Sequence, residues 1–269
     1  MGRGRPSIVG ILNLTADSFS DAGRFLDPAA ARRHAEKLRA ESADWIELGP
    51  ASSHPDAVRV SDAEQIARLE PVLASLVDSG AAVAVDSPVP AVQRYAVEHG
   101  ARLVNDIRGF PDPEHAAALA ESGCRLVAMH SLSGGATARR MDTRPDAVIA
   151  SIHHFFDARL EALCAAGVPR ESLILDPGMG FFLGTTPEPS LAVLRHLPEL
   201  RRAYGLPLLI SVSRKSFLQQ LSGRPAAGVG ADTLAAELHA VDQGVDFVRT
   251  HDVGALCDAL RVRDALAAD

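Results

Sequence analysis

The sequence predicts an α/β chain that folds as a (β/α)8 TIM barrel, a single domain spanning residues 1–269. Eight short runs rich in Val, Ile and Leu recur along the chain, as parallel strands buried on both faces require. Helical patterns separate these runs, and regular alternation of strand and helix points to a parallel sheet. Polar residues gather at the C-terminal end of nearly every run, where barrels of this type carry their chemistry. Eight units favour closure over an open doubly wound sheet, because a closed barrel leaves no edge strand.

The first run, SIVGILNL (7–14), passes straight into TADSFSDAG (15–23), a polar stretch with a lone aromatic, Phe19. A plain connector needs no phenylalanine at its tip, whereas a loop that closes over a bound molecule can use one as a wall. DPAAARRHAEKLRAE follows, with Asp27 as the N-cap and Pro28 at the first helical position. WIELG (45–49) is the second strand. The next helix, SDAEQIARLEPVLASLV, begins with Ser61 and Glu64 at the spacing of a capping box. AVAVDS (82–87), RLVNDI (102–107), RLVAMH (125–130), LILDPG (173–178), LLISVS (208–213) and FVRTH (247–251) complete the strands, and DALRVRDALAA supplies the closing helix.

Hydrophobic residues make up 47% and charged residues 23% of the chain, which suits a globular protein with a substantial core. The net charge is −7, from 27 basic and 34 acidic residues. That excess of acid argues against nucleic acid or an acidic membrane as a partner. The three cysteines, Cys124, Cys164 and Cys257, form no C-x-x-C pair, so neither a disulfide framework nor a zinc site is expected. A reduced, cytoplasmic setting follows from this. The N-terminal apolar run is too short for a secretion signal, and no stretch has the length of a membrane helix.

The strand ends supply Asn13, Asp86, Asn105, Met129, His130, Asp176, Ser213, Lys215, Arg249 and His251, with Ser52, Ser53 and His54 after the second strand. Each has a plain structural reading. Asp86, two residues before Pro88, can cap the next helix, and His130 can be a hydrogen-bonded core histidine. Convergence is harder to explain that way, since in a barrel these termini surround one mouth, and buried polar groups are costly unless they bind something. Asp86, Asn105 and Asp176 suit a flat heterocycle with many N–H groups, such as a pterin or a purine. Arg249, His251 and Asn13 suit phosphate oxygens or a metal. There is no P-loop and no GxGxxG between a strand and a helix.

Five ordered stretches carry a resemblance: ILNLTADSFSDAG, VNDIRGF, LDPGMGF, SVSRKSF and VRTHD. Together they resemble dihydropteroate synthase, from about residue 8 to 263. The resemblance implies a homodimeric folate-biosynthesis transferase. Such an enzyme joins 6-hydroxymethyl-7,8-dihydropterin diphosphate to 4-aminobenzoate and releases pyrophosphate with Mg2+. It implies a pterin pocket of Asp86, Asn105, Met129, Asp176 and Lys215, with Asp86, Asp176 and Lys215 as the groups nearest the chemistry. It implies a diphosphate site of Asn13, Arg249 and His251, with Asn13 near the magnesium. Ser213 and Phe181 fall near the aminobenzoate, and the loop from Thr15 to Gly23, with Phe19, would fold over the site.

Two departures stand out. The family's usual Ser-Thr-Arg-Pro is here Ser52-Ser53-His54-Pro55, so that Ser53 keeps a hydroxyl while His54 replaces an arginine. DPGMGFFLGTTPEPS is two residues longer than the family's segment and lacks its lysine. Both departures resemble the mobile-element-borne, sulfonamide-insensitive members of the family. The second phenylalanine, Phe182, is then expected to add bulk that excludes sulfonamides. The rival readings are a barrel that binds methyltetrahydrofolate for methyl transfer and a non-catalytic pterin-binding protein.

Overall fold

Runs that can be buried on both faces form the strands. In the computed structural model, which describes residues 5–15 and 27–267, these are β1 (Ser7–Asn13), β2 (Trp45–Gly49), β3 (Val83–Asp86), β4 (Leu103–Asp106), β5 (Arg125–Met129), β6 (Leu173–Asp176), β7 (Leu209–Ile210) and β8 (Phe247–Thr250). They pair in parallel in the order β6-β5-β4-β3-β2-β1-β8-β7. A bridge between Leu175 and Leu208 joins the two ends, and the Leu175 amide donates to Pro207 O at 2.9 Å. The (β/α)8 barrel expected from the sequence is therefore the observed architecture.

The helices are α1 (Pro28–Ala40), α2 (Asp62–Asp78), α3 (Pro90–Glu98), α4 (Pro113–Ala120), α5 (Pro145–Ala165), α6 (Pro187–Tyr204), α7 (Ser216–Ser222), α8 (Gly230–Asp242) and α9 (Val253–Ala267). Five of them begin with proline, which presets φ and gives up only an N–H that would be unpaired anyway. Asp27 caps α1 by accepting from the amides of Ala29 and Ala30, both at 3.2 Å. Ser61 caps α2 through the Glu64 amide at 3.2 Å, while the Glu64 carboxylate pairs with Arg68. Among the described residues no helix is long and apolar enough to cross a membrane.

Strand side chains alternate with period two. One inward-facing set, Val9, Trp45, Ala84, Leu103, Val127, Ile174, Leu209 and Phe247, takes one residue from each strand and packs into a single cluster. Below it the Arg125 guanidinium lies 4.9 Å from the Phe247 ring. The alternate residues, including Ile8, Leu48, Val104, Leu126, Leu175 and Val248, face outward into the larger core under the helices. Two residues further along each strand the inward positions are Ile11, Glu47, Asp86, Asn105, Met129, Asp176, Ser211 and Arg249. The barrel interior thus steps from an apolar layer to a polar one within a single strand repeat.

β7 is shorter than the expected 208–213. After Ile210 the chain turns, with the Lys215 amide donating to Val212 O at 3.2 Å and Arg214 at φ 58°, so extended pairing stops. Asp246 pins what remains. Its Oδ2 accepts from the Leu208 amide at 2.9 Å and from Arg201 at 2.7 Å. Asp44 does the same for β1, accepting from the Ile8 amide at 2.7 Å. Asp246→Ala is expected to destabilise the fold by about 1–3 kcal/mol, since it leaves the Leu208 amide without its carboxylate partner and breaks the ion pair with Arg201. Urea unfolding followed by circular dichroism measures this.

Glu237, on α8, is 1% exposed, and its Oε1 has no hydrogen-bond partner. Burial pushes its carboxyl up to about 8, against the pull of a hydrogen bond from Thr250. The folded chain therefore keeps this proton to about pH 8, whereas the unfolded chain releases it near 4.5. Because the fold binds the extra proton throughout that window, its stability falls as pH rises from about 5 to 8. Glu237→Gln, neutral at every pH, is expected to melt higher than the parent at pH 8, with the gap closing toward pH 5. Thermal melts at both pH values check the trend.

Candidate active site

The polar layer is organised around Arg249. Its Nε donates to Glu47 Oε1, its Nη2 to Asp86 Oδ2 at 3.0 Å and its Nη1 to Ser211 Oγ at 3.4 Å. Glu47 is fully buried, while Asp86 and Arg249 keep 18% and 12% of their side chains exposed. Two carboxylates on one guanidinium offset much of the cost of taking charge out of water. Asp86 therefore does not cap α3, whose N-cap is Val89 with no side-chain bond.

Burial sets the protonation of this layer. It raises the Glu47 carboxyl to about 7, despite the attraction of Arg249. It raises Asp176 to about 6, opposed by the Gly178 amide, which donates to Asp176 Oδ1 at 2.8 Å. It raises Asp86 as well, opposed by Arg249 and Lys215. Burial lowers the Lys215 ammonium to about 8, with Arg249 adding repulsion and the carboxylates opposing both. It holds His251 well below the usual imidazole range, so that ring is neutral at pH 7.

Above this layer lies a cavity of about 460 Å3. It brings together Asn13, Ser53, His54, Phe181, Ser213 and His251, with Asp86, Lys215, Arg249 and Phe182 at its inner side. Ser213 Oγ and His251 Nδ1 are 2.9 Å apart. Gly49 leaves room for Asn13, since a Cβ there would meet Asn13 Oδ1 at 3.1 Å. A smaller recess of about 20 Å3 continues inward between Asn105, Met129 and Asp176 and shares Asp86, Lys215 and Arg249 with the first. Asn105 Oδ1 is buried there without a hydrogen-bond partner. Phe19 lies outside the described residues.

The two phenylalanines after β6 part company. Gly178 sits at φ 77°, where a Cβ would meet His130 O at 2.4 Å, so the chain can double back against the strand. Gly180–Phe182 then forms a 3-10 turn. Phe182 points inward, 6% exposed, into a cluster with Ile107, Met129 and Ala138, and the Lys215 ammonium lies 5.2 Å from its ring. Phe181 stays at the rim, 5.6 Å edge-on to His54. His54 accepts from the Asp56 amide at its Nδ1, 3.2 Å away, and burial lowers its pKa.

Some polar strand-end residues are structural. His130 is buried between Pro177 O at 3.2 Å and Ser151 Oγ at 3.0 Å, and burial lowers it to about 4. Asp106 accepts from the Arg108 amide and from Gln93. Sequence reasoning did not single out Glu47, Ser211, Asp56 or Arg140. Period-two counting from Trp45 and Leu209 would have found the first two, because it places them in the same layer as Asp86 and Arg249.

A family model described as pterin-binding enzyme matches residues 9–251. The chain is 54% identical over 259 residues to a dihydropteroate synthase type-2 of Escherichia coli, covering 96% of this chain and 95% of that protein. It is 49% identical over 268 residues to a type-1 enzyme of Mycolicibacterium fortuitum, covering 99% and 95%. The solved Yersinia pestis dihydropteroate synthase with a sulfonamide drug complex superposes with a TM-score of 0.90 at 33% identity, covering 98% of this chain and 94% of that one. The Xanthomonas albilineans enzyme with 4-aminobenzoic acid gives 0.88 at 35%, with the same coverage. Sequence, fold and the polar barrel mouth agree: the chain belongs to the dihydropteroate synthase family of pterin-binding transferases.

Proposed function

We propose that this barrel mouth condenses 6-hydroxymethyl-7,8-dihydropterin diphosphate with 4-aminobenzoate, forming 7,8-dihydropteroate and pyrophosphate. The observation that carries the reading is the pair of adjoining subsites, one lined with acceptors and one with donors, which share Asp86, Lys215 and Arg249. Asp86, Asp176 and the unpartnered Asn105 Oδ1 accept from the N–H groups of the pterin. Met129 packs against its ring, and Lys215 donates to its carbonyl. The inner recess holds only about 20 Å3, so pterin entry displaces Phe182 and Lys215.

In the reaction the exocyclic C–O bond breaks and its electron pair leaves with the diphosphate. Positive charge then develops on the methylene carbon, beside the carboxylates of Asp86 and Asp176. The arylamine nitrogen attacks that carbon and loses a proton. It is a weak base, neutral at pH 7, so no strong general base is required. Arg249 and His251 face the diphosphate. The long Nη1 contact with Ser211 leaves that donor for a phosphate oxygen, while Nε and Nη2 stay on Glu47 and Asp86. Ser213 and Ser53 provide hydroxyls at the aminobenzoate side.

Among the described residues no group of three His, Cys, Asp or Glu side chains forms a metal site. Mg2+ typically keeps several waters and binds through few protein groups plus substrate phosphates. The Asn13 amide oxygen at the cavity wall fits a single protein ligand of that kind. When bound with the diphosphate, the metal neutralises charge on the leaving group. The proposal includes a cytoplasmic homodimer. Free thiols at Cys124, Cys164 and Cys257 support the setting, and the exposed apolar side chains of Val262 and Leu266 on α9, 61% and 83% exposed, support a contact with a second copy.

Pyrophosphate release that requires both the pterin diphosphate and aminobenzoate tests the reading, and release with either alone contradicts it. Asp86→Ala, Asn105→Ala and Lys215→Ala are each expected to lower kcat/KM by about a hundredfold or more, with unchanged circular dichroism. Near-normal turnover in all three would displace the pterin pocket.

We further propose that the enzyme is insensitive to sulfonamides. A sulfonyl group is bulkier than a planar carboxylate, and bulk at the rim penalises only the larger ligand. The sequence directs attention to Phe182, but Phe181 is the ring at the outer wall. Phe181→Ala is expected to tighten sulfonamide inhibition at least ~10-fold, about 1.4 kcal/mol, with a smaller change in the KM for aminobenzoate. Inhibition constants measured beside the parent decide this.

A further inference from the structure

Residues 138–142 cross the cavity rim between the loop after β2 and the loop after β6. The Ala138 amide donates to Ser53 O at 2.9 Å, and Met141 O accepts from the Thr185 amide at 3.0 Å. The Thr185 hydroxyl donates to Asp142 Oδ1 at 2.5 Å. Arg140 sits between these anchors, so its backbone has little room to swing. Its guanidinium makes a fork on the Asp56 carboxylate, with Nη1 on Oδ1 at 2.8 Å and Nη2 on Oδ2 at 2.5 Å. The same guanidinium lies 5.4 Å from the Phe181 ring centroid.

Asp56 works in two directions. Its carboxylate holds Arg140, and its amide donates to His54 Nδ1 at 3.2 Å. His54 in turn meets Phe181 edge-on, and its own amide is held by Ser52 Oγ at 3.2 Å. The Phe181 ring therefore meets both the Arg140 guanidinium and the His54 ring, and one aspartate ties both supports together.

We propose that Asp56 and Arg140 are specificity-determining positioning residues: they clamp Phe181 at the rim, so that a ligand larger than aminobenzoate cannot push the ring aside. This rests on the sulfonamide reading of Phe181 given above. Stability does not account for the pair. The two side chains are 50% and 57% exposed, and exposed ion pairs contribute little to folding. Geometry does account for it. A bidentate fork fixes the plane of the guanidinium, and a guanidinium near a ring is attracted to its face. A rim phenylalanine without such support rotates away at small cost, and steric exclusion by a ring that can rotate away is weak.

The test uses the full-length enzyme and compares the parent with Arg140→Ala, Arg140→Lys, Asp56→Asn, Phe181→Ala and the double variant Arg140→Ala/Phe181→Ala. Each is assayed for the KM and kcat of aminobenzoate and for the inhibition constant of one sulfonamide. We expect Arg140→Ala and Asp56→Asn to bind the sulfonamide about 10-fold tighter, with the aminobenzoate KM moving less than the inhibition constant. Arg140→Lys keeps the charge but loses the fork, and is expected to behave like Arg140→Ala. The double variant is expected to be no more sensitive than Phe181→Ala alone, because Arg140 acts through that ring. The clamp is overturned if Phe181→Ala becomes sensitive while Arg140→Ala and Asp56→Asn stay within twofold of the parent, or if the effects of Arg140→Ala and Phe181→Ala add. If Phe181→Ala also stays resistant, the rim reading falls with the clamp. If the parent makes no dihydropteroate, the proposed reaction itself fails.

Discussion

The guanidinium of Arg249, held between Glu47 and Asp86, is the interaction on which the site depends. A polar layer inside a barrel of Val, Leu and Ile is unfavourable, because each buried ion loses its hydration. The carboxylates and the guanidinium meet where their strands bring them together, and their mutual attraction makes the layer tolerable. Removing one partner would leave the others as unpaired buried charges. The shifts in Asp176 and Lys215 follow from the same environment: burial drives both toward neutrality, and the neighbouring charges oppose it.

The apolar layer beneath matters as much. Val9, Leu103, Val127, Ile174 and Leu209 pack into a closed floor, and Arg125 covers Phe247 below it. Charged groups one strand repeat higher are thereby cut off from water on one side and open to the cavity on the other. A ligand entering from the mouth meets carboxylates and amides already oriented, some with unpaired acceptors such as Asn105 Oδ1. Preorganised polar groups of this kind act on developing charge without having to reorganise.

Around the mouth, the loops lean on one another. The loop after β2 supplies His54 and Asp56, the loop after β5 supplies Arg140, and the turn after β6 supplies Phe181. His54 stands at the rim, and the fold brings the Arg140 guanidinium to the same rim from a different loop. Phe181 and Phe182 are neighbours in sequence, yet Phe181 stays at the rim of the outer cavity while Phe182 also reaches the inner recess.

Much of this was legible in the sequence. Apolar runs at regular intervals announce buried parallel strands. Asp27 and Pro28 announce the start of a helix, because capping and preset φ are local effects. The polar residues at strand ends announce a mouth, because the barrel topology makes separate termini converge. Period two also contained Glu47 and Ser211, although Glu47 sits alone in an otherwise apolar strand and Ser211 lies just past the end of β7, where a single polar residue draws little notice. Only the tertiary structure decided which aspartate pairs with Arg249, that His130 is core while His251 faces the cavity, and that Asp56 and Arg140, 84 residues apart, meet over Phe181. The physical reason is range. Capping, turn formation and strand burial depend on residues a few positions away and leave a pattern in the chain. Ion pairing and ring packing across the mouth depend on which loops the closed barrel brings within a few ångströms of each other.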